Sequence, residues 1–184
     1  MDALMSEQSG LRLLFLDTAL FDDGATIRGG ALITDIETRP YEFRVTGPVK
    51  PTQIQRVLYG DTLEEYIHVE LIGVPLIKAT KERPGLVLLR SSGLLRIRPY
   101  VECPVVLVRS DSKLTDDPGK PGEVRPVTIS SHREFPAEAS AAQSMLAPLM
   151  RQRDLLEPFE RLFVALTEAH KQHIGEDSVS KARA

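Results

Sequence analysis

The sequence predicts a single α/β domain with one mixed sheet: an antiparallel three-strand meander, then parallel strands, with helices on both faces. Three observations carry this. Leu11–Phe21 is a nearly unbroken apolar run, which marks a strand in the middle of a sheet covered on both sides. Asp22-Asp23-Gly24 then supplies a hairpin turn, because Gly accepts positive φ at little cost, and two more strand-like stretches follow. Farther on, two short continuous apolar runs, Leu86–Leu89 and Pro104–Val108, are separated by a crossover, the pattern of neighbouring parallel strands.

The elements follow in order. The second strand is predicted over Thr26–Thr34 and the third over Tyr41–Thr46, with Pro40 at the entrance because it cannot donate to a ladder. Gly47-Pro48-Val49-Lys50-Pro51 stops the sheet, and Thr52 caps a short helix over Gln53–Tyr59 with Ile54, Val57 and Leu58 facing inward. Asp61 starts a second helix, with Glu64 three residues on completing a capping box. Its apolar stripe is Leu63, Ile67, Leu71, Val74 and Ile77. Pro75 removes a backbone hydrogen bond inside that pattern, which predicts a kink near Leu71 to Gly73. Leu94–Tyr100 is either a short helix or an extended connector. Residues 111–122 read as a mobile loop and Val124–Ser130 as a last strand, placed at the edge by Pro126. Pro136–Met150 is an Ala-rich helix that Pro148 ends or bends. Asp154 and Glu157 repeat the cap pattern before the clearest amphipathic stripe, Leu155, Phe159, Leu162, Phe163 and Leu166.

The 184 residues fit one domain, expected over 11–174, between a disordered leader at 1–10 and a polar tail at 175–184. Apolar residues make up 42% and charged residues 27%, a globular balance. The net charge of −3 argues against a wholly basic, non-specific nucleic-acid surface while leaving room for a local basic groove. Cys103 is the single cysteine, so no intramolecular disulfide forms. There is no signal-peptide pattern and no apolar run long enough for a membrane span, so a cytoplasmic protein without a membrane partner is expected.

The order β-β-β-α-β-(α)-β over Leu11 to about Val108, followed by helices, resembles the ribonuclease H-like architecture. The resemblance is one of topology and rests on no short motif. It implies a metal-binding Asp on the first strand, which Asp17 matches, and a carboxylate on the first helix, for which Glu64, Glu65 and Glu70 are available. It also implies an acid at the end of the fourth strand. Here that strand ends Arg90-Ser91-Ser92, and Asp111 at the end of the next strand is the nearby substitute.

An acid in a buried strand is costly unless it finds a cation, several donors or a metal, so Asp17 is the most informative residue. In one reading it ligates Mg²⁺, and Glu70 and Asp111 help to hold two ions for phosphodiester cleavage. In the other it pairs with Arg28 or Arg44, or caps a turn. Arg28-Gly29-Gly30 either brings amides to a phosphate or marks a bulge or the close approach of another element. Arg44, Lys50 and Arg56 are candidate phosphate ligands, with Tyr59 stacking on a base; the alternative is a solvated strand face with Tyr59 on the core. Arg90, with Arg96 and Arg98, favours anion binding if it lines the same crevice. His170 and His173 lie one turn apart, a spacing that suits either a metal or simply a helix C-terminus. Phe159 and Phe163 belong either to the core or to a partner-binding surface.

Two functions follow. The first is a non-catalytic binding or assembly protein that uses the fold as a scaffold, with a protein partner or a homo-oligomer. The second is a divalent-metal-dependent nuclease or phosphoryl-transfer enzyme using Asp17, with Mg²⁺ as cofactor and nucleic acid as partner.

Overall fold

The computed structural model describes residues 10–111 and 124–175. The expected leader, most of the 111–122 loop and the tail lie outside the described residues.

The strands are β1 (Leu13–Phe21), β2 (Thr26–Thr34), β3 (Pro40–Val45), β4 (Leu86–Leu89), β5 (Val105–Ser110) and β6 (Val127–Ser131). They form one six-stranded sheet in the order β3-β2-β1-β4-β5-β6. β1–β2 and β2–β3 pair antiparallel, β1–β4 and β4–β5 parallel, and β6 closes the far edge antiparallel to β5. The meander is driven by its first turn. Asp22, Asp23 and Gly24 take φ of 52°, 54° and 85°, and the Gly24 amide donates to the Phe21 carbonyl at 3.0 Å. Short polar residues and glycine tolerate this left-handed region best.

β1 alternates between two cores. Leu13, Phe15 and Ala19 face a cluster completed by α3 (Ala137–Met150) and α4 (Glu157–Lys171), through Leu146, Leu155, Phe159, Leu162 and Leu166. Leu14 and Leu16 face the opposite cluster, with Ile67, Val69, Ile72, Leu76, Leu94 and Ile97. Helices therefore cover both faces, as the apolar run predicts. The Gly29–Gly30 pair lets them come close. A Cβ on Gly29 would meet Ile72 Cγ2 at 2.1 Å, and one on Gly30 would meet Leu162 Cδ1 and Leu166 Cδ2 at 2.9 Å. Close approach, and not phosphate binding, accounts for this dipeptide.

The crossover departs from expectation in three ways. Helix α1 (Gln53–Tyr59) has the predicted bounds and a capping box between Thr52 and Gln55, yet its apolar side chains point outward. Ile54, Val57 and Leu58 are 70%, 72% and 75% exposed. A single seven-residue helix ending at Gly60 makes no seat on the sheet for them. Asp61 does not cap the next helix; it lies within a 3₁₀ turn, Gly60–Thr62. The long helix α2 is composite: α over Leu63–Tyr66, π over Ile67–Gly73, and α again over Val74–Ala79. Pro75 has no amide to give, and wide turns absorb the missing bond where a simple kink was expected. The Val74 amide reaches back five residues to the Val69 carbonyl. This winding moves the inward face from the predicted stripe to Ile67, Val69, Ile72 and Leu76, leaving Leu63, Leu71, Val74 and Ile77 partly buried.

Ser92–Tyr100 is a 3₁₀ helix, the helical one of the two readings. In α4, Phe159 is fully buried and packs edge-on to Phe15 with centroids 5.2 Å apart, so Phe159 belongs to the core and not to a partner surface. Phe163 is 47% exposed on the outer side. No helix among the described residues is long and apolar enough to cross a membrane.

Candidate functional site

Asp17 sits midway along β1, just past the end of its parallel pairing with β4, while Arg90 and Asp111 follow the carboxyl ends of β4 and β5, so all three lie toward the carboxyl edge of the parallel strands. Open α/β sheets bind ligands at such edges. Asp17 is 5% exposed on a central strand. Its Oδ2 lies 2.8 Å from Arg90 Nη2, and its Oδ1 accepts from the Thr18 amide at 2.9 Å. Arg90 follows β4 directly. Its guanidinium carbon stands 5.8 Å from the centre of the Phe159 ring, and its side chain is 41% exposed. Burial pushes the Asp17 carboxyl above its ordinary pKa; the Arg90 charge and the Thr18 amide pull it back only in part. The counter-charge is thus Arg90, and neither Arg28 nor Arg44.

The metal-binding set read from the sequence is not assembled. Glu70 is exposed and lies by Tyr59, whose hydroxyl pKa is raised chiefly by its hydrogen bond to Tyr66 and to a lesser degree by the Glu70 charge. The Asp111 amide donates to the Pro126 carbonyl at 3.0 Å. No group of three His, Cys, Asp or Glu among the described residues is arranged to hold a metal ion. Asp17 has both oxygens engaged by donors, and the position expected to carry an acid carries a cation. The described residues do not fit a divalent-metal centre. His170 likewise has another role, stacked on Phe21 at 4.2 Å with Nε2 3.3 Å from Asp22 Oδ1.

The other candidate ligands are dispersed. Arg28 is fully buried, and its Nη1 donates to the Ile174 carbonyl at 2.7 Å, tying the end of α4 to the sheet; it has no surface to offer a phosphate. Arg44 Nε pairs with Glu42 Oε1 at 2.6 Å, and Glu42 also accepts the Lys81 and Glu82 amides. Lys50 is exposed and 3.9 Å from Asp22 Oδ2. Arg56 is exposed, and Tyr59 stacks on Tyr66 at 4.5 Å. Arg98 is held by Glu138 and faces the Phe135 ring.

Between the start of α2 and the 3₁₀ helix Ser92–Tyr100 the structure forms a polar cleft of about 370 Å³. Asp61, Glu64, Glu65 and His68 line one wall, and Ser92, Gly93 and Arg96 the other. Glu65 is paired with Arg96, and His68 Nδ1 is 3.9 Å from Glu64 Oε1. Glu64 and Glu65 are the first-helix acids read from the sequence; Asp61 and His68 join them because 61, 64, 65 and 68 share a helical face by spacing, a signal that sequence reasoning left unused.

No protein-family model matches the chain, and no curated protein matches its sequence. Among solved structures, it is similar to endonuclease V from Streptomyces avermitilis, with a TM-score of 0.52 and 16% identity over 93% of this chain and 92% of that one. The chain has a ribonuclease H-like fold. A weaker likeness links it to endonuclease V from Ciona intestinalis in complex with inosine-containing DNA, with a TM-score of 0.36 and 16% identity over 58% of this chain and 56% of that one. Another links it to Argonaute from Marinitoga piezophila in complex with guide RNA, with a TM-score of 0.37 and 13% identity over 76% and 26%. Of these three, the Streptomyces likeness alone describes the fold.

Proposed function

We propose that this protein binds nucleic acid at the carboxyl edge of β1 and β4, on a nuclease fold, and that Arg90 is the phosphate contact at its centre. The observation that carries this reading is Arg90 itself: anchored on Asp17, backed by Phe159, and still 41% exposed. A guanidinium has five N–H donors in a planar fork that matches phosphate geometry. Lys50 and Arg56, both exposed, are secondary contacts in this reading. The net charge of −3 confines attraction to this patch, so binding is local and salt-sensitive. The likeness of fold to endonuclease V favours nucleic acid over the protein-assembly role as the reason for the scaffold.

The same likeness supports a second reading, a metal-dependent nuclease using Asp17. One experiment tests both. Labelled single-stranded and duplex DNA and RNA are titrated with the protein and followed by anisotropy at about 50 and about 200 mM salt, a range over which phosphate-dominated binding weakens steeply. Aliquots incubated with Mg²⁺ or Mn²⁺ are run on denaturing gels. Salt-sensitive binding that Arg90→Gln weakens, with intact oligonucleotides, supports the first reading. Cleavage abolished by Asp17→Asn establishes the second. A protein that binds none of the four probes retires both.

A further inference from the structure

Asp17 stands on the central strand, where the resemblance to the ribonuclease H-like architecture implies a metal-binding acid, yet no further ligands are gathered around it among the described residues. We propose that Arg90 is the resident cation of the site: its guanidinium stands beside Asp17 where a metal ion would otherwise bind, so a phosphate-bearing ligand meets an arginine and needs no metal. That a phosphate group is the ligand rests on the function proposed above; the cation assignment does not.

Four observations converge. Both Asp17 oxygens accept from donors, Oδ2 from Arg90 at 2.8 Å and Oδ1 from the Thr18 amide at 2.9 Å, and the Arg90 charge stands where it opposes a second cation. The remaining carboxylates are not gathered, Glu70 being exposed by Tyr59 and Asp111 lying at the end of β5. Arg90 is supported by the face of Phe159, a fully buried ring held by Phe15, so the cation stands on a rigid base. Finally, the Arg90 side chain remains 41% exposed while it holds Asp17, so the cation is still open to solvent.

A permanent +1 charge differs from a metal in one testable way: it cannot be chelated, and it can be removed by substitution. Mn²⁺ is titrated into the wild-type protein, Arg90→Asp, Arg90→Asn and the double variant Arg90→Asp/Asp17→Asn. Free Mn²⁺ is read by electron paramagnetic resonance and Tm by calorimetry. The wild type is expected to take up no Mn²⁺ and to shift by less than about 1 °C, whereas Arg90→Asp gains about 4 °C at saturating metal, as for a ligand well above its Kd. The double variant loses that gain. Should Arg90→Asp fail to fold, Arg90→Asn exposes the Asp17 oxygens and is expected to take up more Mn²⁺ than the wild type. Uptake by the wild type that depends on Asp17 overturns the assignment, as does failure of both single variants to exceed the wild type. Anisotropy of a labelled oligonucleotide in EDTA, run alongside, separates the two proposals. Absent oligonucleotide binding with the expected Mn²⁺ pattern retires the function and leaves the cation assignment standing.

Discussion

Arg90 Nη2 holds Asp17 Oδ2 at 2.8 Å across the gap between two parallel strands, in a position where one side chain is almost buried and the other half-exposed. This asymmetry governs the energetics. Asp17 bears the cost of losing water, while Arg90 keeps much of its hydration and returns only part of that cost.

The first prediction follows from the sign of that imbalance. The folded protein raises the Asp17 pKa above its unfolded value of 3.8, chiefly through burial. The fold therefore favours the protonated form. The group's contribution to stability is complete below the unfolded pKa and is lost as pH rises through the raised folded value. Asp17→Asn is accordingly expected to be more stable than the wild type at neutral pH, by on the order of 1 kcal/mol. The difference shrinks as pH falls toward about 4, near the unfolded carboxylate range. Urea unfolding of both proteins across that range reads it directly. A variant less stable than the wild type at pH 7 would mean that the ion pair outweighs the burial.

How much of this was legible in the sequence depends on whether a side chain's fate is set locally. The continuous apolar run of β1 had to be central, and the Asp-Asp-Gly turn had to reverse the chain, so the meander followed, with parallel strands after the crossover. Ile54, Val57 and Leu58 carry helical spacing, but whether a helix face meets anything is a tertiary matter, and here nothing among the described residues covers them. Asp17 needed a partner by desolvation alone. Which arginine supplies it depends on strand register: Leu16 lies beside Leu89 in the parallel β1–β4 pair, so the next residue of each strand, Asp17 and Arg90, come together. The inward face of α2 at Val69, Ile72 and Leu76 required knowledge of the π winding, which Pro75 suggests without fixing its extent.

The two aromatic residues of α4 should separate cleanly. Phe159→Ala empties a fully buried site against Phe15 and is expected to cost about 3–5 kcal/mol. Phe163→Ala, on the exposed side, is expected to stay within about 0.5 kcal/mol. Chemical denaturation of the pair checks both. Equal effects would move Phe159 out of the core.

Gly29 tests the close approach of α2. Gly29→Ala would set a Cβ 2.1 Å from Ile72 Cγ2, and relieving that clash is expected to cost about 1–3 kcal/mol. Adding Ile72→Leu removes the β-branch that carries Cγ2 and should recover part of the loss. A neutral Gly29→Ala would show that the helix does not press on β2.

Replacing Ile54, Val57 and Leu58 together by glutamine tests their outward placement. Each is at least 70% exposed, so the triple variant should unfold within about 1 kcal/mol of the wild type. A loss of several kcal/mol would restore the inward orientation that their spacing suggests.

The central claim is that Arg90, and not a bound ion, is the positive charge that ligands meet at this edge. The most direct measurement is the affinity of a labelled oligonucleotide in EDTA, for the wild type and for Arg90→Gln. The expected result is undiminished wild-type binding in EDTA, and a loss of about tenfold in Arg90→Gln, the scale of one charged hydrogen-bonding contact. Binding that requires Mg²⁺ or Mn²⁺, or an Arg90→Gln variant that binds like the wild type, would contradict it.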